Sequence, residues 1–486
     1  MSLIETAWSP DTFAGLAEIW KQHLADHLRS VQANEESVLN WADPVQLTRA
    51  AADFMRTSPA NASIESRFET LVRQILSSGQ NLQHPRYIGH QVPANVPLAA
   101  LFDAVGSVTN QVMAIYEMGP WATAVECALV NQLCAKIGWD SETAGGLLTS
   151  GGSLANLTAL LTARNIALPG CWEKGIPSNA VFVSHPDAHY SISRSAGILG
   201  MGTEQVARAA MTDDRRIDPQ QLKQQLRSLI DAHHSVIAVV ACACATPIGA
   251  FDDLDAIADV CNTHDVWLHV DAAHGGSALM SRQHRHKLAG IEKADSIVWD
   301  AHKMLFVPAL CAAVLYKNRQ HRFETFRQDA PYLFDPSNPG MADYDSGVTT
   351  IECTKRALGF GLWGIWSLFG EELFEQMVDR TFERSHQLWR MLNDADDFEP
   401  LHKPECNIVA FRYLPDHIIH AADEIQDRFQ FELRNRLIRS GDFYIVQAKL
   451  HGRSVLRACV MNPLTTENDL LELLNALRRH AAEMRA

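Results

Sequence analysis

Between residues 146 and 316 the chain alternates short apolar runs with longer stretches of helical spacing, and that rhythm constrains its fold more than any other feature. The runs at 146–149, 180–184, 236–245, 266–270, 296–299 and 311–316 have strand length and little polar alternation. The stretches 153–165, 218–233 and 252–264 between them carry apolar residues at helical intervals. A strand that is apolar on both faces must be buried on both, and helices covering a mainly parallel sheet achieve this. The spacing therefore predicts an α/β fold. Ligands of such sheets bind beyond the carboxyl ends of the strands.

The flanks read differently. Residues 11–28 and 64–76 show helical spacing, and prolines at 85, 93 and 97 then break the pattern. From about residue 354 the text is helical again. Strand-like runs at 407–413 and 454–461 follow, interleaved with helical stretches 421–439 and 466–485. This predicts a helical segment over 1–100, a large domain over 101–365 and a small α+β domain over 366–486. A chain of 486 residues can bury the cores this requires.

A net charge of −15 argues against nucleic acid or an anionic membrane as partner and favours a small molecule. The first residues have no basic and apolar leader pattern, and no apolar run reaches membrane-spanning length. Ten cysteines without a framework suit free thiols in a reducing cytoplasm. Cys242 and Cys244 are expected on one strand face, where a metal pair would need further Cys or His ligands.

Two residues at predicted strand ends point to chemistry. Asp271 closes the apolar run 266–270, and Lys303 stands just past 296–299, before another apolar run. A lysine there is expected to be desolvated, its ammonium disfavoured and its amine free to form a Schiff base. A carboxylate and a lysine so placed suit pyridoxal 5′-phosphate (PLP), whose ring nitrogen wants an anion and whose aldehyde wants an amine. Taken singly, Lys303 could be a surface lysine and Asp271 a helix cap. Ser150-Gly151-Gly152-Ser153 lies between a strand and a helix, where free N–H groups suit a phosphate, although such turns often bind nothing. His189 follows the run 180–184 and could stack on a flat cofactor or sit idle in a loop. Thr246 could touch the ring or start a turn. His302 could reach the phosphate or orient the lysine.

Together these blocks resemble the group II PLP-dependent amino acid decarboxylases, and most closely their glutamate and cysteine sulfinate branch. The resemblance runs through His84-Pro85-Arg86-Tyr87, Tyr116-Glu117-Met118-Gly119-Pro120 and Thr149 to Asn156. It continues through His189-Tyr190-Ser191, Gly249-Ala250-Phe251-Asp252, Trp267 to Ala273, Met280 to Leu288 and His302-Lys303-Met304. It implies the type I, aspartate aminotransferase-like fold, with a mainly parallel seven-stranded sheet. It implies that Lys303 carries the cofactor, Asp271 contacts the ring nitrogen and His189 stacks. Gly152, Ser153 and His302 would hold the phosphate, with Thr246, Ala273 and Asp300 completing the lining. Tyr332 matches a loop tyrosine that protonates the substrate carbon. A homodimer with active sites at the subunit interface is also implied, the N-terminal helices packing on the partner.

The chain departs from the pattern at three places. Asp300-Ala301 replaces Asn-Pro before His302-Lys303, adding a carboxylate that could favour a cationic substrate. His90 replaces a glutamine that faces the substrate's distal carboxylate; a protonated histidine could still bind an acid. Cys244-Ala245-Thr246-Pro247 replaces a Gly-Thr-Thr run. Arg457 matches an arginine that binds the distal carboxylate but also occurs in relatives acting on aromatic amino acids. The expected reaction is decarboxylation of glutamate, cysteine sulfinate or aspartate, with diaminobutyrate or an aromatic amino acid as alternatives. A PLP-binding regulatory protein is a rival, as is a metallohydrolase using His269, Asp271, His274, Asp300 and His302. The second leaves Lys303 unexplained.

Overall fold

A computed structural model describes residues 2–56, 62–326 and 343–484. The chain forms two compact units. One comprises Met1–His90, Gln387–Leu401 and Val409–Ala486, the other Gln91–His386 and His402–Ile408. The first ninety residues thus share a unit with C-terminal ones, so the units cross the boundaries drawn from sequence.

The larger unit is built on seven strands: β1 (Gly145–Thr149), β2 (Ala180–Ser184), β3 (Val206–Arg208), β4 (Ser235–Cys242), β5 (Trp267–Asp271), β6 (Ser296–Asp300) and β7 (Ala312–Tyr316). Their spatial order is β1-β7-β6-β5-β4-β2-β3. β3, β2, β4, β5 and β6 pair in parallel, and β7 runs antiparallel to both β6 and β1. Every residue of β2, β6 and β7 is buried, as unalternated apolar strands require. The expected mainly parallel, helix-covered sheet is therefore present.

Helix α1 (Gly152–Ala167) follows β1, α2 (Ser191–Ile198) follows β2, α3 (Pro219–Asp231) precedes β4, and α4 (Leu254–Thr263) lies between β4 and β5. The one-turn helix α5 (Ala301–Met304) follows β6. Ala155 and Ala159 of α1 pack among Leu147, Val298, Ala312 and Val314, their small side chains letting the helix lie close on the sheet. Two details differ from the sequence reading. β3 has only three residues, none buried, so no apolar run announced it. β4 ends at Cys242 instead of Ala245, because Asp252 Oδ2 accepts from the Cys242 N–H (2.7 Å) and the chain then turns. Cys242 and Cys244 therefore do not share a strand face.

The smaller unit contains helices Pro10–Gln32, Ile64–Ser77, Asp423–Ser440 and Glu467–Glu483. Its four-stranded sheet has the order β8-β9-β11-β10, with β8 (Phe398–Pro400), β9 (Ile408–Tyr413), β10 (Val446–Leu450) and β11 (Arg453–Cys459). Leu433, Leu456, Leu473 and Leu477 fill its core. Serine caps at Ser9 and Ser63 and a capping box at Thr466 and Asp469 start three of the helices. No helix among the described residues is long and apolar enough to cross a membrane.

Candidate active site

The parallel register sets the site. Cys242 of β4 pairs with Asp271 of β5, and Asp271 with Val298 of β6, so these strands deliver Asp271 and Asp300 to the same end of the sheet. Ala273 joins the two ends. Its N–H donates to Asp271 Oδ1 (3.2 Å), and its carbonyl accepts from the Asp300 N–H (3.2 Å).

Asp271 is 7% exposed and held by a buried network. Asn156 of α1 donates through Nδ2 to Asp271 Oδ2 (3.0 Å) and to Ser191 Oγ (3.0 Å). Asn156 Oδ1 is then the acceptor facing His269 Nε2 (2.9 Å), which fixes the proton on Nε2. His269 Nδ1 consequently accepts from Ser296 Oγ (2.8 Å), while Trp267 Nε1 donates to that oxygen (2.8 Å). Full burial, against the pull of Asp271, lowers the His269 pKa to about 4. His269 is thus a neutral brace within a closed chain of hydrogen bonds, and no lone pair remains for a metal. Asn156 and Ser191 lay inside sequence blocks that carry the resemblance, but nothing in the text marked them as braces.

Asp300 is 1% exposed. Its Oδ2 lies 3.3 Å from Lys303 Nζ and 3.6 Å from His302 Nε2, while Oδ1 has no hydrogen-bond partner. Burial pushes the Lys303 pKa down, but the carboxylates of Asp300 and Asp271 outweigh it and hold the amine above its ordinary value. The expectation of a disfavoured ammonium is therefore corrected: two buried anions stabilise the cation more than desolvation penalises it. His302 turns Nδ1 to the Cys311 carbonyl (2.8 Å).

Gly151 has φ +140°, a conformation suited to glycine, and α1 begins at Gly152. A Cβ on Gly152 would lie 2.6 Å from Asp300 Oδ2, so the turn and the carboxylate are packed against one another. Ser153 is exposed on the first turn of α1. His189 is half-buried beside Ser191, whose Oγ lies 2.9 Å from its Nδ1. Burial lowers the His189 pKa; Asp271 and Asp300 oppose this and Lys303 adds to it. His189, Asp271, Asp300 and Lys303 thus share one electrostatic neighbourhood. Thr246 is half-buried in the turn after β4, closed by the Gly249 N–H donating to the Ala245 carbonyl (2.9 Å).

His90 and Arg457 belong to the smaller unit. Arg457 on β11 is 6% exposed, and its Nε and Nη2 have no hydrogen-bond partner. Burial, then Arg457 and Arg434, lowers the His90 pKa, so His90 stands neutral at neutral pH instead of as the cation envisaged from sequence. Tyr332 falls in 327–342, outside the described residues.

These residues fit PLP. Asp271 accepts two hydrogen bonds and retains acceptor capacity for a protonated ring nitrogen. Lys303 offers an amine, Gly152 opens the helix N-terminus, and Asp300 Oδ1 is a buried polar atom left without a partner.

Comparison with known proteins agrees. The pyridoxal-dependent decarboxylase conserved domain matches residues 52–414. Cysteine sulfinic acid decarboxylase of Rattus norvegicus is 31% identical over 458 residues, 91% of either chain. Acidic amino acid decarboxylase GADL1 of Homo sapiens is 30% identical, over 93% of this chain and 87% of that one. Among solved structures, mouse CSAD superposes with a TM-score of 0.89 at 28% identity, covering 97% of this chain and 99% of the other. The glutamate decarboxylase domain of a diaminobutyrate-pyruvate transaminase and L-2,4-diaminobutyrate decarboxylase from Vibrio parahaemolyticus gives 0.84 at 25%, covering 99% and 97%. The fold is that of the type I PLP enzymes, and the chain belongs to the pyridoxal-dependent decarboxylase family, carboxy-lyases of amino acid metabolism that work with PLP.

Proposed function

We propose that this enzyme decarboxylates a small acidic L-amino acid (cysteine sulfinate, glutamate or aspartate) to its amine. The observation that carries this reading is Arg457, a buried guanidinium with two nitrogens lacking partners beside a neutral His90. An unpaired buried cation is costly, and a distal carboxylate or sulfinate would pair it bidentately. Relatives named for cysteine sulfinic acid and acidic amino acids support the same class.

Bound at this site, PLP supplies an electron sink for the pair released when the Cα–carboxylate bond breaks. Lys303 would hold the cofactor through its amine. Asp271, braced by Asn156, keeps a proton on the ring nitrogen. His189 would face the cofactor, with Thr246 and Ala273 beside it. The N-terminus of α1 at Gly152 and Ser153, with His302, would hold the phosphate, and Asp300 would tune the charge there. Tyr332 returns a proton to Cα. Exposed Leu3, Ile4, Trp8 and Phe13 give the N-terminal segment an apolar surface that a second copy would cover in a cytoplasmic homodimer.

A second reading, diaminobutyrate, draws on the buried Asp300 Oδ1, which lacks a hydrogen-bond partner and would accept from a cationic side chain. Carbon dioxide release from a panel of acidic, basic and aromatic amino acids separates the two. The acidic reading requires turnover of at least one acid and a KM raised about tenfold or more in Arg457→Leu. Release only from diaminobutyrate or an aromatic substrate would sink it. Light scattering of the holoenzyme tests the dimer, and a monomeric mass would refute it.

A further inference from the structure

We propose that Cys244, Cys406 and His274, none of them assigned to PLP, form a soft-metal site that takes zinc. All three belong to the larger unit and are buried, at 8%, 0% and 3% exposure. The two Sγ atoms lie 3.8 Å apart, and one ligand atom from each residue falls within 4.8 Å of the others. Tetrahedral zinc with Zn–S bonds of about 2.3 Å needs a sulfur–sulfur edge of about 3.8 Å, so the thiols already stand at the required separation.

The histidine supplies an independent observation. Asn407 Nδ2 points at Met304 Sδ (3.4 Å), which leaves Oδ1 to accept from His274 Nε2 (2.7 Å). The proton therefore sits on Nε2, and Nδ1 carries a lone pair. That Nδ1 is buried and has no hydrogen-bond partner. A carbonyl oxygen that fixes the distal N–H of an imidazole is the usual outer partner of a metal-binding histidine. Gly249, at φ +74°, makes room, since a Cβ there would collide with Cys406 Sγ. Three protein ligands leave the fourth position to a small molecule such as water. Two thiolates and an imidazole favour zinc over hard cations.

Sequence could not assemble this set, because Cys406 lies 162 residues from Cys244. Metal binding displaces the two thiol protons, so each zinc taken up releases two protons from the reduced, thiol form. The site adjoins α5 through Met304, the residue after Lys303, and Cys244 lies within electrostatic reach of Lys303, so occupancy would bear on the support and charge of the lysine.

The test uses the PLP-loaded holoenzyme, produced in zinc-supplemented medium and kept reduced. One zinc per chain is expected. X-ray absorption at the zinc edge should show two sulfurs at about 2.3 Å and imidazole nitrogen at about 2.0 Å. Cys244→Ser and Cys406→Ser should each abolish stoichiometric zinc, and His274→Asn should weaken it at least tenfold. Cys261→Ser, a buried cysteine on α4, should retain it. The cofactor's visible band and the melting temperature check that each variant folds, and the wild-type spectrum decides the matter should a variant fail to fold. A sulfur-free zinc spectrum would overturn the proposal, as would absence of zinc or equal zinc in folded Cys406→Ser. So would a Cys244–Cys406 disulfide with no zinc uptake after reduction.

Discussion

Asp300 separates two readings of the site lysine. Desolvation alone predicts an amine that loses its proton easily, whereas the carboxylates of Asp300 and Asp271 keep the ammonium in place. Replacing Asp300 by Asn removes one buried anion at nearly constant volume. The Lys303 pKa should then fall by about one unit or more, the size expected for losing a close opposite charge. Cofactor capture needs the neutral amine, so the pH midpoint for PLP uptake by the apoenzyme should move down by the same amount. Stopped-flow mixing of apoenzyme with PLP across pH measures it, and an unmoved midpoint would show that Asp300 does not set the charge of Lys303. Asp300 ends β6 and Lys303 lies on α5 just after it, beside the apolar run 296–299. The sign of the lysine shift was not legible, since it depends on a 3.3 Å approach that no spacing rule contains.

Strands and helices were legible to the degree that they were apolar. β2, β5, β6 and β7 coincide with apolar runs because their burial demands such text. β3 carries no apolar signature because a three-residue edge strand with no buried residue needs none, and Asp252 sets the end of β4 from outside the apolar run. The turn from β1 into α1 was read as a phosphate cradle, but its tie to Asp300 belongs to packing between elements. That tie is testable. Gly152→Ala places a methyl 2.6 Å from Asp300 Oδ2 in a buried space. Overpacking of this kind costs about 1–3 kcal/mol, and here it falls on the start of α1. PLP affinity should drop about tenfold or more, and the double variant with Asp300→Ala should recover part of the loss. Fluorescence titration with PLP checks both, and a single variant that binds normally would show the turn to be looser than it is drawn.

Across the whole molecule, histidine burial has a consequence for acid stability. His84 and His90 in the smaller unit, and His189, His269, His284 and His321 in the larger, all have pKa values below their ordinary value, chiefly through burial. For His269 and His284 the value is about 4. An unfolded histidine takes its proton near pH 6.5, so between about pH 6.5 and 4 the unfolded chain binds more protons than the folded one. Their contribution is complete above about pH 6.5 and is lost as pH falls through that window. It is on the order of 3 kcal/mol for each of the two strongest cases. Burial raises the pKa values of Asp252, Asp103, Asp295 and Glu405, and these carboxyls oppose the trend as pH falls through their folded pKa values. Calorimetric melting temperatures should therefore fall steadily from pH 7 to pH 5. His269→Gln, which can keep a donor to Asn156, should make that slope shallower by up to one proton's worth. Invariance of the melting temperature over this range would mean that His269 finds a compensating partner when protonated, which the closed His269–Asn156–Asp271 network leaves no room to supply.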